Sequence, residues 1–353
     1  MNNKPRFFEI SLLNVFLCLS VIFIHVSSKP ITVLDVNSMG YLAAFIPWRL
    51  ASFVVYGFIF LSGCKLLLSK SNNFSYGKFL VSRLVSIVIP YIIWVFIYYI
   101  YFWHNNYFAF KFTDLIRYIF IGDLVSHFYF IIIIVQFYLL APLWIKLVKK
   151  INESIALPVS LILTVILGAN LPDILNIAAP NYIFPYADRV FTTYLFYWTA
   201  GCYAGLYYEK FKAQLLANRI FIAVFFAVSA AGNVYFSYLK FTGRSYISWL
   251  DNIHTMYCMS AILFFFTAAV SLNKSLMIGV INKIDRVSYS IYLGHCLIIF
   301  IADDILLKFV PGLPMKASYP IRIFAVYTVV ILAALIWYHL KNFLSAKIPV
   351  RPK

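Results

Sequence analysis

Apolar residues run along this chain in long blocks separated by short polar or Pro-, Gly- and Asn-containing breaks. A stretch of about 20 apolar residues is what an α-helix needs to cross a hydrocarbon layer about 30 Å thick. The blocks predict ten such helices, at roughly 8–27, 46–67, 84–103, 125–145, 155–170, 190–208, 220–239, 253–272, 287–306 and 320–340. The breaks include Ser69–Gly77, Asn170–Asp188 and Pro311–Pro320. No internal repeat or low-complexity tract interrupts them. The expected fold is all-α: a polytopic membrane helical bundle forming a single domain over 1–353.

Composition supports this reading. Of the 353 residues, 63% are hydrophobic and 12% charged, with a mean hydropathy of +0.87. A soluble domain carries about 25% charged residues. Half that density cannot coat a globule in water, but it suits a surface facing lipid. Many of the 27 Tyr and 35 Phe fall at the ends of apolar runs, where amphipathic rings favour the headgroup level.

The net charge of +17 would suggest nucleic acid in a soluble protein. Here no basic stripe with interleaved aromatics lies outside the spans, so a nucleic-acid partner is not expected. With the N-terminus inside, 19 of the 29 Lys and Arg fall on the cytoplasmic side, giving that side +15 and the outer side +2. Ten spans with both termini cytoplasmic satisfy the positive-inside rule. The first block lacks a small-residue cleavage site and is read as a retained helix. Cys18, Cys64, Cys202, Cys258 and Cys296 are scattered in or beside apolar runs, without a CxxC spacing. This argues against a disulfide framework or a metal site.

Polar residues inside the blocks carry the chemistry. In the first helix, Ser11, Asn14, Cys18 and His25 fall within about 60° of one face at 100° per residue. His25 stands about 16 Å beyond Asn14, near the outer end. A polar stripe in a membrane helix faces the bundle interior or a watery cavity. It serves either as glue between helices or as a site. In the fourth block Asp123 and His127 are four residues apart and are expected to share a helix face near the outer level. In the ninth, Ser288, Tyr292 and His295 form another stripe. His25, His127 and His295 are therefore candidates to line one cavity, while each taken singly is equally a packed, satisfied histidine.

Other signals are weaker. Ser62–Gly63 permits close packing or a bend, and the Gly201/Gly205 spacing reads as a packing motif. Arg83, Lys283 and Arg286 flank cytoplasmic helix ends, where charge anchoring also explains them. His104, His254 and His339 carry no pattern. No HExxH, P-loop, GxSxG or GxGxxG motif occurs in a suitable context. The residues alone leave three classes open: an enzyme working across the bilayer, an exporter of a lipid-linked glycan, and a membrane sensor or partner subunit.

A helix ending in His25 is followed in order by FIFLSG, SRLVSIVIP, HFYFI, YWTAGCYAG and VSYSIYLGHCLII. This series resembles acyltransferase family 3, the bacterial membrane O-acyltransferases of cell-envelope and secreted glycans. It is similar to the stand-alone members, among them the enterobacterial-common-antigen O-acetyltransferase and intercellular-adhesin O-succinyltransferase types. The family's first helix carries an arginine, ten residues, then an essential histidine, which matches His25. Asn14 stands where that arginine would be. A neutral amide cannot neutralise a phosphate or pair with a carboxylate as arginine does. Either another cation compensates, or the acyl donor differs, or activity is impaired. Arg83 corresponds to the family's third-helix arginine. Phe128–Tyr129 corresponds to its aromatic pair after His127, and Tyr292, Leu293 and His295 to its Tyr-Leu-x-His element.

The resemblance implies a protein of the bacterial plasma membrane. Its co-substrate would be a cytoplasmic acyl-CoA, acetyl-CoA first and succinyl-CoA second, and its acceptor a hydroxyl on an extracytoplasmic polysaccharide or glycolipid. It implies no resident cofactor and no metal. His25 would be the general base. Asp123 or His127 would orient it or the acceptor, His295 would share the cavity, and Tyr292 or Asn14 would stabilise the oxyanion. Arg83 and Arg286 would bind the CoA phosphates.

Overall fold

The computed structural model describes residues 7–68, 74–178, 185–245, 247–272 and 277–347. These form fifteen α-helices, with no strand among them. In chain order they are α1 (Phe8–Val33), α2 (Met39–Ala51), α3 (Val54–Leu68), α4 (Tyr76–Arg83), α5 (Ile89–His104), α6 (Phe112–Ile121), α7 (Tyr129–Leu139) and α8 (Ala141–Lys150). There follow α9 (Glu153–Ala178), α10 (Leu195–Leu206), α11 (Tyr208–Ala217), α12 (Arg219–Phe241), α13 (Leu250–Ser271), α14 (Ile278–Phe309) and α15 (Met315–Lys347). The all-α polytopic bundle read from the apolar blocks is therefore what the chain adopts.

Among the described residues seven helical segments are long and apolar enough to cross a membrane: Phe8–Val33, Met39–Leu68 (α2 with α3), Tyr76–His104 (α4 with α5), Arg219–Phe241, Leu250–Ser271, Ile278–Phe309 and Met315–Leu340. Two bent pairs raise the number to nine if each crosses as one: Tyr129–Leu139 with Ala141–Lys150, bent by 60°, and Glu153–Gly168 with Asn170–Ile177, bent by 65°. These nine correspond to nine of the ten expected blocks. The tenth, 190–208, is shorter than expected. It holds a 3-10 turn, Phe191–Tyr194, and then the 12 residues of α10, about 18 Å of helix. Local side-chain bonds hold the turn open: Thr193 donates to the Ala187 carbonyl and Tyr194 to the Asp188 carbonyl. The termini, 1–6 and 348–353, lie outside the described residues, as do Lys70 and Lys274 of the charge count.

The chain forms two compact units, residues 1–54 with 215–353, and residues 55–214. In the first, α1 is the centre, packed against α2, α13, α14 and α15, while α12 lies on α13 and α2. Apolar sides of α1 and α14 meet through Phe8, Val15 and Ile281. Phe16 and Phe53 pack on Phe265 of α13. Large apolar side chains such as Val228 and Ile336 stand exposed on the outside, as lipid-facing positions do.

In the second unit α10 is the packing pivot. A Cβ on Gly201 would fall on the Phe60 carbonyl, one on Gly205 on the Cys64 carbonyl, and one on Gly63 on the Trp198 carbonyl. The small residues let α3 and α10 approach backbone to backbone, so the Gly201/Gly205 spacing is indeed a packing motif. Phe137 stacks on Trp198 at 4.5 Å. The helix Tyr76–His104 opens into one π turn at Leu84–Val88, immediately after Arg83. Pro90 explains it: the ring has no N–H to give the Ser86 carbonyl and crowds it, so the ladder widens there.

Candidate active site

The polar stripes of α1 and α14 face each other. Asn14 Nδ2 donates to Asp285 Oδ1 (2.7 Å) and to Ser288 Oγ (3.0 Å). Ser11 donates to Asp285 Oδ2 (3.0 Å), and the Cys18 thiol to the Ser288 carbonyl (3.3 Å). Further along, the rings of His25 and His295 lie 5.1 Å apart. Contacts rise together along both helices, so α1 and α14 run parallel. Four residues of one stripe thus meet Asp285, Ser288 and His295 of the other.

His295 is fully buried and its tautomer is set by its neighbours. Nδ1 lies 2.6 Å from the Tyr292 carbonyl, which only accepts, so Nδ1 carries the proton and Nε2 the lone pair. The Cys296 thiol lies 3.4 Å from that Nε2. His25 is half-buried and stands at the more open end of the pair. Tyr292 packs 6.0 Å from the His295 ring. His25, His295 and Cys296 each bring a ligand-type atom within 4.8 Å of one another, a spacing suited to capturing a soft divalent ion. The scattered cysteines gave no hint of this.

Beyond His25, α1 continues through Pro30, and Leu34 N–H still bonds the Pro30 carbonyl at 2.9 Å. Arg322 of α15, only 3% exposed, donates Nη1 to the Val26 carbonyl (3.1 Å). Its Nε and Nη2 lie 2.6 and 3.0 Å from the two oxygens of Asp303 on α14. Lys29 reaches the same carboxylate at 3.4 Å. Arg286 is exposed and donates to the Tyr338 hydroxyl of α15 at 2.8 Å. It lies about 180° around α14 from His295.

The second unit holds the other three expected residues. The Arg83 guanidinium sits 5.1 Å from both the Phe79 and Tyr138 ring centres, and its buried Nε has no acceptor among the described residues. His127 is buried, 4.5 Å from the Phe128 ring and 6.1 Å from the Tyr98 ring. Asp123 pairs with Arg117 at 3.5 Å. The expectation that Asp123 and His127 share a helix face is not met. Gly122, at φ 70°, ends α6 in the left-handed conformation, Asp123 lies outside any helix, and residues 124–128 form bends and turns before α7 begins at Tyr129. Helical spacing therefore does not apply across them.

Three charged residues of the first unit were not singled out in the sequence: Asp285, Asp303 and Arg322. Asp285 was legible as an acid three residues before Ser288, and Arg322 as a lone cation inside an apolar block.

A parallel pair of membrane helices, bonded through polar side chains and ending in two facing imidazoles, defines a site inside a multi-pass membrane protein. The chain matches the acyltransferase 3 family model, described as an acyltransferase domain, over residues 7–339. It belongs to that family and is a membrane acyltransferase. No curated protein and no solved structure gives a match.

Proposed function

We propose that this protein moves an acyl group, acetyl in the first instance, from cytoplasmic acyl-CoA to a hydroxyl of an extracytoplasmic polysaccharide or glycolipid, in a bacterial plasma membrane. The observation that carries this reading is the His25–His295 pair, 5.1 Å apart at the end of the α1–α14 seam. An imidazole titrates near neutral pH and suits proton transfer from a sugar hydroxyl.

In this reading His25 removes the hydroxyl proton as the oxygen attacks the thioester carbon. The carbon–sulfur bond breaks, and the same proton returns to the departing CoA sulfur. Products are the O-acyl glycan and free CoA. His295 is fixed with Nε2 as acceptor and keeps the His25 ring and the acceptor hydroxyl in register. Asn14 directs Nδ2 at Asp285 and Ser288, so we assign it to holding the helices together. Oxyanion stabilisation then falls to Tyr292. Arg83, steadied between two rings and with a buried donor, is the side chain we assign to a CoA phosphate. Arg286 is a second cation for that group, and Asp123 with His127 the acceptor-orienting pair.

The test is purified protein in liposomes with acyl-CoA inside and glycan outside. CoA release matched by glycan O-acylation, and lost in His25→Ala at normal protein level, supports the reading. Acylation that persists in His25→Ala removes the base. Glycan movement without CoA turnover replaces the enzyme with an exporter.

A further inference from the structure

We propose that Arg322 is a positioning residue for His25, acting through a backbone carbonyl that Pro30 deprives of its helical partner. This rests on His25 being the base.

In an α-helix the carbonyl of residue 26 receives the N–H of residue 30. Pro30 has no N–H, and its ring crowds that carbonyl and turns it outward. The helix nonetheless continues to Val33. Val26 is fully buried, so water does not serve its carbonyl. Arg322 does, through Nη1 at 3.1 Å.

The guanidinium is itself held. Nη2 donates to Asp303 Oδ2 at 3.0 Å, and Nε stands 2.6 Å from Oδ1 as an ion-pair contact, so Nη1 and Nη2 of one rigid plane are bonded to two different helices. Asp303 lies eight residues beyond His295 on α14, about two turns further along. Val26 follows His25 directly. Ser27, next again, shares a 2.8 Å hydrogen bond with Tyr319 of α15. One planar cation therefore ties α1, directly after His25, to α14, two turns beyond His295, and to α15, and sets where α1 carries His25. Lysine has the charge but not the planar fork whose two terminal nitrogens meet the carbonyl and the carboxylate separately.

The experiment uses the full chain in membranes and compares four proteins: wild type, Arg322→Lys, Arg322→Ala/Asp303→Asn, and the same double variant with Pro30→Ala. The double variant removes the cation without stranding the carboxylate. Its kcat per folded enzyme is expected to fall about ten- to hundredfold, with KM for acyl-CoA nearly unchanged. Arg322→Lys is expected to fall with it. Adding Pro30→Ala gives Val26 an N–H partner of its own and is expected to recover most of the lost kcat. A merely structural ion pair would lower protein level or thermal stability, leave kcat per folded enzyme intact and gain nothing from Pro30→Ala. Either wild-type kcat in the double variant or absence of recovery in the triple variant overturns the proposal. His25→Ala is run beside them. If it is inactive while the double variant is fully active, the positioning role alone fails; if it is active, the assignment of the base fails.

Discussion

Asn14 on α1 donates a 2.7 Å hydrogen bond to Asp285 on α14. The bond places a neutral amide opposite a carboxylate. The amide holds its partner without neutralising it, and Ser11 supplies the carboxylate's second oxygen with a donor. The two parallel helices are thus registered from the N-terminal part of α1, and His25 meets His295 further along.

Removing that amide is the first test. Asn14→Ala leaves one Asp285 oxygen short of its donor and is expected to destabilise the protein by about 1–3 kcal/mol. Thermal unfolding in detergent measures this. Asn14→Arg is expected to recover stability by pairing with Asp285. A destabilised Asn14→Arg would show that the carboxylate tolerates no cation there.

The imidazoles are expected to separate by role. His25→Ala should lower kcat by about 10²- to 10⁴-fold, the usual range for losing a general base. His295→Ala should cost less, since His295 acts here by orientation. Equal losses measured by CoA release would instead mark both rings as members of one proton-transfer unit.

Added Zn²⁺ is expected to inhibit, because His25, His295 and Cys296 present three ligand-type atoms within 4.8 Å. A chelator should reverse the inhibition, and Cys296→Ala should weaken it. Activity that needs zinc, judged by loss on chelation and return on adding the ion, would reverse this picture.

Gly201→Ala and Gly205→Ala each set a methyl group against a backbone carbonyl of α3. Neither carbonyl belongs to a flexible side chain that can step aside. Each substitution is expected to destabilise by about 1–3 kcal/mol, read as a lower unfolding temperature or reduced yield. Gly77→Ala, with nothing near its Cβ position, is the control.

Arg83→Ala is expected to raise KM for acyl-CoA several-fold while kcat changes little, and Arg83→Lys to recover part of the difference. A kcat loss at constant KM would move Arg83 from donor binding to the chemical step.

Much of this arrangement was legible in the chain. The stripe Ser11, Asn14, Cys18, His25 follows from helical periodicity alone, and so does that of Ser288, Tyr292 and His295. What periodicity lacks is partnership. The facing of the two stripes depends on which helices pack, and α1 packs on four. It also fails where the backbone leaves the helix. Gly122 breaks the spacing between Asp123 and His127, and the turn at 191–194 shortens the expected sixth span. Arg322 stands out as a cation inside an apolar block, but its partners do not: the need it meets is created by the missing N–H at Pro30, far away in the chain, and by Asp303 on another helix.

The π turn after Arg83 has its own consequence. A widened ladder adds a residue to one turn, so every side chain after Val88 is rotated relative to those before it. With that offset Tyr91, Val95 and Tyr98 come round to the sector of Phe79 and Arg83, whereas an unbroken α-helix would set them about 60–120° away from Arg83. Replacing Pro90 with an ordinary residue would allow the helix to close up, and the segment carrying Phe79 and Arg83 would then turn as one piece away from the face that Tyr91, Val95 and Tyr98 share with it.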